Sequence, residues 1–284
     1  MDGILLVNKP IDFTSRDVVN KLTKILKTKK IGHTGTLDPI ATGVLVVCIG
    51  NTTKLCELLT SEYKEYIATI KLGIKTDTLD ITGNIIDQKD YNVNEKQIIE
   101  VLNSFLGNSI QTTPIYSAVK VNGKKLYEYA RAGEYIELPK RNINITSIEL
   151  ISYEDDEITF KTTVSKGTYI RALIDDICTK LNTVGTMKYL QRTKQGKFKI
   201  EDTYTLEDIE NNNYKLIPIE EALSEIETIN ITEEVYNKIL NGAIIDKTFD
   251  NDIACLNYNG KIVAIYQTYH KDKALAKPFK MFIN

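Results

Sequence analysis

Residues 32–43 limit the possible folds of this chain more than any other segment. The run contains three glycines, three threonines, one proline and one of the two histidines. Glycine and proline at this density are typical of a tight loop. The six apolar residues that follow, 44–49, are too few to cross a membrane and predict a buried strand. The loop is therefore expected at the mouth of a core strand.

Asp38 is the only carboxylate in this loop. Its neighbours Leu37 and Pro39 have no side-chain donor that could bind it, so the carboxylate is placed to act on a substrate. The alternative is structural, because an aspartate before a proline often only starts or caps a turn. Spacing alone leaves both interpretations open.

The composition is typical of a folded globular protein. Of the 284 residues, 42% are hydrophobic and 26% are charged, which suits one large domain and a small one. The N-terminus has too short an apolar run for a secretion signal. The four cysteines form no Cys-x-x-Cys pair, and neither histidine has a cysteine at metal-ligand spacing. We therefore expect a cytoplasmic protein with reduced thiols, no metal site and no membrane contact.

The charge is unevenly distributed, although the net charge is only -2. An acidic block at residues 201–234 masks basic segments elsewhere. Five lysines lie between residues 21 and 30 with no acidic residue between them. A second basic run contains Lys188, Arg192, Lys194, Lys197 and Lys199. Clustered cations suit a phosphate backbone. Each cluster taken alone is better explained as an ordinary solvated face than as an RNA site.

Strand and helix patterns mix along the chain without strict alternation, which predicts an α+β fold. Strands are expected at 4–8, 66–72 and 158–164, and a helix begins at Thr14 or Ser15 with Asp17 in its first turn. Asn94 and Gln97 predict the start of another helix, which ends at Gly107. That helix is expected to bury Ile98, Ile99, Leu102, Phe105 and Leu106.

Residues 110–141, which we call the insertion, differ in character from their surroundings. Tyrosines alternate there with lysines and arginines around an Asn122-Gly123 turn. Interleaved aromatic and basic side chains suit contact with RNA. The alternative is a solvated hairpin that packs its tyrosines on the rest of the protein.

A domain boundary is expected within 210–230, dividing the chain into regions 1–225 and 226–284. Beyond it, two alternating apolar runs are joined by Asn259-Gly260, a strong hairpin signal. The second region is therefore expected to be small and rich in strands.

Five motifs together resemble the bacterial tRNA pseudouridine synthase B family. They are the loop at 32–43, Tyr66, the Thr-Asp-Thr-Leu-Asp run at 76–80, the Tyr-Ser-Ala-Val-Lys run at 116–120 and the Ser-Lys-Gly-Thr-Tyr-Ile-Arg run at 165–171. They occur in the family's order and spread over residues 3 to about 200. The resemblance implies a pseudouridine synthase fold with a mixed central sheet, flanking helices and a small C-terminal PUA-like domain.

The resemblance also implies an activity: isomerisation of uridine to pseudouridine at position 55 in the T loop of tRNA, after the base is flipped out. The catalytic residues would be Asp38, Tyr66 and Arg171. Substrate binding would involve His33, Asp80 and Leu190, together with Lys120, Lys124 and Lys125 in the insertion, a flexible thumb on the tRNA T arm. The reaction transfers no electrons and loses no group, so we expect no metal and no small-molecule cofactor. The resemblance further implies a monomer whose partner is the T arm of tRNA.

Some positions depart from the family pattern, and other functions compete. Asp12 stands where the family has glycine, Gln191 replaces an arginine, and Thr113 replaces a proline. One rival function is the catalytic subunit of a guide-RNA pseudouridylation particle, and another is an RNA chaperone without chemistry. An NTPase is disfavoured because residues 32–35 lack the Gly-Lys-Ser/Thr of a phosphate-binding loop.

Overall fold

The computed structural model describes residues 1–60 and 63–282. Within them the chain forms seven α-helices: α1 (Ser15–Ile25), α2 (Glu95–Asn103), α3 (Leu126–Ala132), α4 (Ile170–Lys180), α5 (Leu206–Glu210), α6 (Ile219–Ala222) and α7 (Glu233–Ile239). The strands of the same residues are β1 (Gly3–Lys9), β2 (Ile31–His33), β3 (Thr42–Ile49), β4 (Tyr63–Leu72), β5 (Ile74–Thr76), β6 (Ile85–Gln88), β7 (Gly107–Thr112), β8 (Lys120–Val121), β9 (Lys124–Lys125), β10 (Lys140–Glu154), β11 (Glu157–Ser165), β12 (Gly185–Gln195), β13 (Phe198–Lys199), β14 (Thr228–Asn230), β15 (Ile245–Asp246), β16 (Ile253–Tyr258), β17 (Lys261–Tyr269) and β18 (Asp272–Met281).

A nine-stranded sheet forms the centre of the molecule. Its main order is β1-β3-β12-β4-β11-β10-β7, with β2 paired to β3 and β13 paired to β12. The β3–β12 pair is parallel, whereas β12 runs antiparallel to β4. The sheet is therefore mixed, and the predicted α+β class is confirmed.

Two helix starts agree with their sequence signals. Thr14 caps α1 and exchanges hydrogen bonds with Asp17, and Asn94 does the same with Gln97 at α2. The predicted end of α2 is wrong, because the helix stops at Asn103 and Gly107 instead opens β7 with a φ of 92°.

The earlier helix end changes what α2 buries. Ile98 and Leu102 are buried as predicted, and Phe105 is partly buried against the same core. Ile99 and Leu106 are 41% and 48% exposed, so the prediction that they are buried is wrong. Leu106 lies beyond the helix, and Ile99 is turned about 100° away from Ile98 around the helix axis.

The largest hydrophobic core lies between α2 and α4 and strands β4, β11 and β12. It contains Ala68, Ile70, Phe160, Leu173 and Ile174. The loop at 34–41, called the Asp38 loop from here on, joins β2 to β3 and inserts its own apolar residues into this core: Leu37, Ile40 and Ala41. Burial of these side chains holds the loop against the end of the core.

The C-terminal region forms a separate five-stranded sheet in the order β14-β16-β17-β18-β15. Asn259 and Gly260 join β16 to β17 with φ values of 51° and 79°, which confirms the predicted hairpin. Its face towards the rest of the protein packs Cys255, Ile262 and Ile265 against Leu55 and Leu223. The division at 225/226 stays a prediction.

The insertion begins on β7 and ends on β10, two strands at one edge of the central sheet. Between them lie the hairpin β8–β9, turned by Asn122 and Gly123, and the short helix α3. None of the helices built by the described residues is long and apolar enough to span a bilayer.

Candidate active site

Hydrogen bonds to the backbone hold the Asp38 loop in place just before and just after Asp38. The Leu37 amide donates to the Ser15 hydroxyl at 2.9 Å, and the Asp12 amide donates to the Pro39 carbonyl at 2.9 Å. The buried Lys9 ammonium donates to the same Pro39 carbonyl at 3.2 Å. Burial lowers the pKa of Lys9 to about 8, although the charge of Asp38 opposes that shift. The loop therefore presents Asp38 from a fixed frame.

The two interpretations of Asp38 apply to different atoms of the residue. Its backbone carbonyl accepts from the Ala41 amide at 3.0 Å and so closes a turn. Its carboxylate instead accepts from Arg171, and the side chain remains 36% exposed. The turn explains the position of the loop and leaves the carboxylate available for chemistry.

Arg171, in the first turn of α4, is held through three of its nitrogens. Nε donates to Asp38 Oδ2 at 2.9 Å, Nη1 to the Thr78 carbonyl at 2.8 Å and Nη2 to the Tyr116 carbonyl at 3.0 Å. The side chain is only 6% exposed. The guanidinium thus orients the carboxylate from a position that two backbone carbonyls fix independently.

Asp80 lies behind Arg171 rather than beside Asp38. Its Oδ2 is 4.0 Å from Arg171 Nη1, while its Oδ1 accepts from the Thr78 hydroxyl at 2.9 Å and the Thr82 amide at 3.1 Å. The residue is 7% exposed. Asp80 therefore shapes the turn whose Thr78 carbonyl receives Arg171.

A cavity of about 540 Å³ opens in front of the Asp38–Arg171 pair. Its walls include Tyr66 and Leu190, which project from neighbouring strands β4 and β12 and are both nearly buried. The insertion covers another side with Tyr116, Ser117, Ala118, Val119 and Tyr127. The volume falls within the range of small-ligand pockets.

His33 is brought close to this region but does not line the cavity. It ends β2, is half-buried, and its Nδ1 has no hydrogen-bond partner among the residues that the structure describes. Burial lowers the pKa of His33, and the positive charges of Arg16 and Arg192 lower it further. A neutral imidazole near pH 7 follows.

The three predicted lysines of the insertion lie on its hairpin, outside the cavity lining. Lys124 Nζ forms an ion pair with Glu134 at 2.8 Å and lies 4.6 Å from the centroid of the Tyr129 ring. Lys125 Nζ lies 5.4 Å from the Tyr127 ring centroid, and Lys120 is exposed. The tyrosines therefore pack under the lysines within the insertion itself.

Three further residues line the cavity: Tyr169, Lys64 and Arg192. The sequence placed Tyr169 only within the motif at 165–171 and Arg192 only within a basic run, and it gave Lys64 no role. Tyr169 is positioned by Gln111, whose side-chain amide donates to its carbonyl at 3.1 Å and accepts from its amide at 2.8 Å. The signal for Lys64 was available, since it precedes Tyr66 by two residues and so shares its face of β4.

The departure at Asp12 has a backbone explanation. Its φ of 65° lies in the left-handed region that glycine adopts most easily and aspartate tolerates. Gln191 pairs with Thr42 across the parallel β3–β12 ladder, and Thr113 is fully buried. No group of three or more His, Cys, Asp or Glu side chains in the described ranges could hold a metal ion.

Comparison with known proteins matches this chain over nearly its whole length. Residues 23–170 match the model of the TruB family pseudouridylate synthase N-terminal domain, and residues 171–228 match the tRNA pseudouridylate synthase B C-terminal domain. The family boundary at 170/171 falls at the start of α4, inside the central fold.

Two relatives are both named tRNA pseudouridine synthase B. The Clostridium tetani protein is 43% identical, over 94% of this chain and 96% of its own length. The Bacillus subtilis protein is 41% identical, over 100% of this chain and 98% of its own length. Among solved structures, a chain of an H/ACA ribonucleoprotein bound to a substrate RNA containing 2′-deoxyuridine has a TM-score of 0.74 at 24% identity, covering 99% of this chain and 85% of that one. That likeness concerns the fold, whereas the identities and the family models confirm the resemblance seen in the motifs: the chain belongs to the TruB family of pseudouridylate synthases.

Proposed function

We propose that this protein isomerises uridine to pseudouridine at position 55 in the T loop of tRNA, with Asp38 as the nucleophile. The observation that carries the proposal is the Asp38 carboxylate, held 2.9 Å from Arg171 Nε at the mouth of a cavity walled by Tyr66 and Leu190. Relatives named tRNA pseudouridine synthase B, at 43% and 41% identity, support tRNA as the substrate.

The chemistry needs a carboxylate and a group that moves protons. The bond between ribose C1′ and uracil N1 breaks, the base turns, and C1′ joins C5. The proton on C5 leaves and N1 gains one, so the product is an isomer and no electrons are exchanged. Asp38 serves either by adding to the base or by attacking C1′ as the base departs, and both routes use one partly exposed carboxylate oxygen.

The remaining residues divide the work of binding and proton transfer. The ring of Tyr66 stacks on the flipped base, and its hydroxyl moves a proton at the base or the ribose. Leu190, on the neighbouring strand β12, forms an apolar wall of the same cavity. Flipping the base out of a folded loop costs a few kcal/mol. Phosphate contacts of Lys120, Lys124 and Lys125 offset that cost by holding the T arm.

Structural and sequence relationships support a stand-alone enzyme over its nearest rival. The guide-RNA pseudouridylation subunit remains the second candidate because the fold matches a chain of an H/ACA ribonucleoprotein with a TM-score of 0.74. Identity to that chain is 24%, against 43% for the Clostridium tetani relative. All the groups proposed for catalysis come from one chain, which fits a cytoplasmic monomer that needs no guide RNA, metal or cofactor.

The test is an Asp38→Asn variant assayed on an unmodified tRNA transcript, with pseudouridine mapped at each uridine. We expect no turnover and nearly unchanged tRNA binding, because the amide is close in shape but is no nucleophile. Asp12→Asn is the matched control: it changes a neighbouring carboxylate in a backbone conformation that asparagine tolerates, and it should keep full activity.

Three outcomes would contradict parts of the proposal. Turnover by Asp38→Asn above a contamination control would remove Asp38 as the nucleophile. A wild-type protein that refolds tRNA but makes no pseudouridine would be a chaperone. Activity that appears only when a guide RNA is added would support the ribonucleoprotein rival.

A further inference from the structure

The floor of the cavity changes from apolar to cationic along two paired strands. In the β4–β12 ladder, Leu190 lies opposite Ala68, Arg192 opposite Tyr66, and Gln195 opposite Lys64. Ala68, Tyr66 and Lys64 alternate along β4 and therefore face the same side, with about 6.6–6.8 Å between successive members. Along the cavity floor, the apolar pair Leu190–Ala68 is thus followed by Tyr66 and then by Lys64.

Lys64 is a buried cation with no acidic partner in the part of the chain that the structure describes. The residue is 9% exposed, and no carboxylate of the described residues lies within ion-pair distance of its ammonium. Burial, together with the positive charges of Arg192 and Lys166, lowers the pKa of Lys64 to about 8. On the opposite face of the same strand, Glu65 is bound by both Lys161 and Lys194. Within residues 1–60 and 63–282, ion pairs therefore balance the charge of Glu65 on that face, whereas Lys64 has no such pair on the cavity face.

Arg192 adds a second cation at the same place. It is fully buried, and its Nε and Nη2 donate to the carbonyls of Val44 at 2.7 Å and Gly35 at 3.0 Å. An ideal Cβ on Gly35 would lie 3.5 Å from Arg192 Nη1 and 3.6 Å from Lys64 Cε. The two side chains therefore converge beneath one glycine of the Asp38 loop.

Two buried cations with no ion-pair partner among the described residues are costly to a folded protein. An anion that entered the cavity would relieve that cost through charge-assisted hydrogen bonds, which are the strong ones. The spacing of Tyr66 and Lys64 along β4 also suits a nucleotide. Tyr66 accommodates the base, and Lys64 lies within reach of its phosphate.

We propose that Lys64 and Arg192 form a phosphate subsite that binds the phosphodiester group adjacent to the flipped uridine. This inference rests on the proposed function, since it assumes that a nucleotide of an RNA chain occupies the cavity. The subsite fixes the depth and orientation of that nucleotide, so that its ribose–base bond lies in front of Asp38. Lys64 and Arg192 are positioning residues in this scheme.

The experiment combines a lysine variant with chemically altered RNA. Binding of a T-arm RNA is measured for the wild type, Lys64→Met and Lys64→Arg. Each protein is tested with natural RNA and with two modified RNAs, in which an uncharged methylphosphonate replaces the phosphate before or after the target uridine. Lys161→Met is the matched control, because Lys161 belongs to the same sheet but pairs with Glu65 on the other face.

One methylphosphonate should weaken binding by the wild type and by Lys161→Met about tenfold or more, the effect of a lost charged hydrogen bond. The same methylphosphonate should have almost no effect on RNA binding by Lys64→Met, because this variant already lacks the contact. Lys64→Arg should retain most of the affinity. The salt dependence of log K should be shallower for Lys64→Met by about 0.7–0.9, the value for one phosphate contact.

The proposal is overturned if neither flanking methylphosphonate weakens binding by the wild type, a result that needs no variant to fold. It is also overturned if the methylphosphonate costs Lys64→Met as much as it costs the wild type. Failure of the proposed function would look different, because the wild type would then form no pseudouridine in RNA with natural phosphates.

Discussion

Asp38 and Arg171 are separated by 133 residues in the chain, yet Arg171 Nε donates to Asp38 Oδ2 at 2.9 Å. The remaining guanidinium nitrogens donate to the carbonyls of Thr78 and Tyr116. The arginine therefore joins the Asp38 loop, the turn before β6 and the start of the insertion. Its fork geometry is essential to this arrangement, because an ammonium cannot donate in three fixed directions from a planar frame.

Arg171→Lys should lower both activity and stability. We expect the single-turnover rate to fall at least about tenfold and the free energy of unfolding to fall by about 1–3 kcal/mol, the cost of leaving buried carbonyls without donors. Rates at saturating enzyme and urea denaturation measure the two effects. Arg131→Lys, on the exposed surface of α3, is the control for unfolding. Full activity of Arg171→Lys would mean that a positive charge at this position is sufficient for catalysis, without the geometry of the guanidinium.

Tyr66→Phe should reduce catalysis more than binding. The ring can still stack, but the hydroxyl to which we assign proton transfer is gone, and such a contribution is typically 10²–10⁴-fold. Single-turnover rates and tRNA dissociation constants separate the two. Tyr189→Phe is a matched control, since this tyrosine adjoins Leu190 on β12 and is 37% exposed. A fall in rate of less than about tenfold, against the range quoted, would leave Tyr66 as a stacking wall.

Alanine at Lys124 and Lys125 should weaken tRNA binding and make its salt dependence shallower, by about 0.7–0.9 per lost phosphate contact. The structure refines this expectation, because Lys124 is already paired with Glu134. Glu134→Gln should therefore strengthen tRNA binding by releasing that ammonium. A salt series of dissociation constants measures both effects, with Lys96→Ala on α2 as the control. An unchanged slope with a lower rate at saturating enzyme would assign the insertion to chemistry.

Cys56 should be the first of the four cysteines to be alkylated at mildly alkaline pH. The hydrogen bond from Cys48 lowers the pKa of Cys56, whereas the same pairing and burial raise that of Cys48. Burial raises the pKa of Cys178 to about 12 and that of Cys255 to about 11. The thiolate is the reactive form, so a lower pKa gives more of it at a given pH. Peptide mapping after limited iodoacetamide treatment at pH 8 checks the order, and equal labelling of Cys255 would contradict it.

Features that depend on neighbouring residues could be read from the sequence. The cap at Asn94 and the hairpin at Asn259-Gly260 are local, since each depends on a few adjacent backbone groups. The predicted end of α2 is wrong because Ser104 caps the helix before Gly107 is reached: its amide donates to the Glu100 carbonyl and its hydroxyl to the Val101 carbonyl.

The site was only partly predictable for a related reason. The motif residues gave Asp38, Tyr66, Leu190 and Arg171, all of which line the cavity. The second basic run looked like one surface, but Lys188 pairs with Glu157, Lys197 binds the Glu221 carbonyl, and Arg192 is buried. Which cation keeps a free charge depends on residues distant in the chain, and no local pattern encodes that.

The insertion leaves the central sheet after Thr112 and returns at Lys140, and these two residues are directly paired partners on β7 and β10. The sheet has thus already brought its ends together, and the entropy of closing a flexible loop rises by only about 0.6 kcal/mol per doubling of length. Residues 113–139 have the geometry of an exchangeable module that can grow, shrink or be replaced while the register beneath stays intact. The Tyr116 carbonyl ties the module to Arg171. A transplanted loop must therefore supply that acceptor and replace the side of the cavity now formed by residues 116–119 and Tyr127. Its exposed hairpin is free to adapt to another RNA.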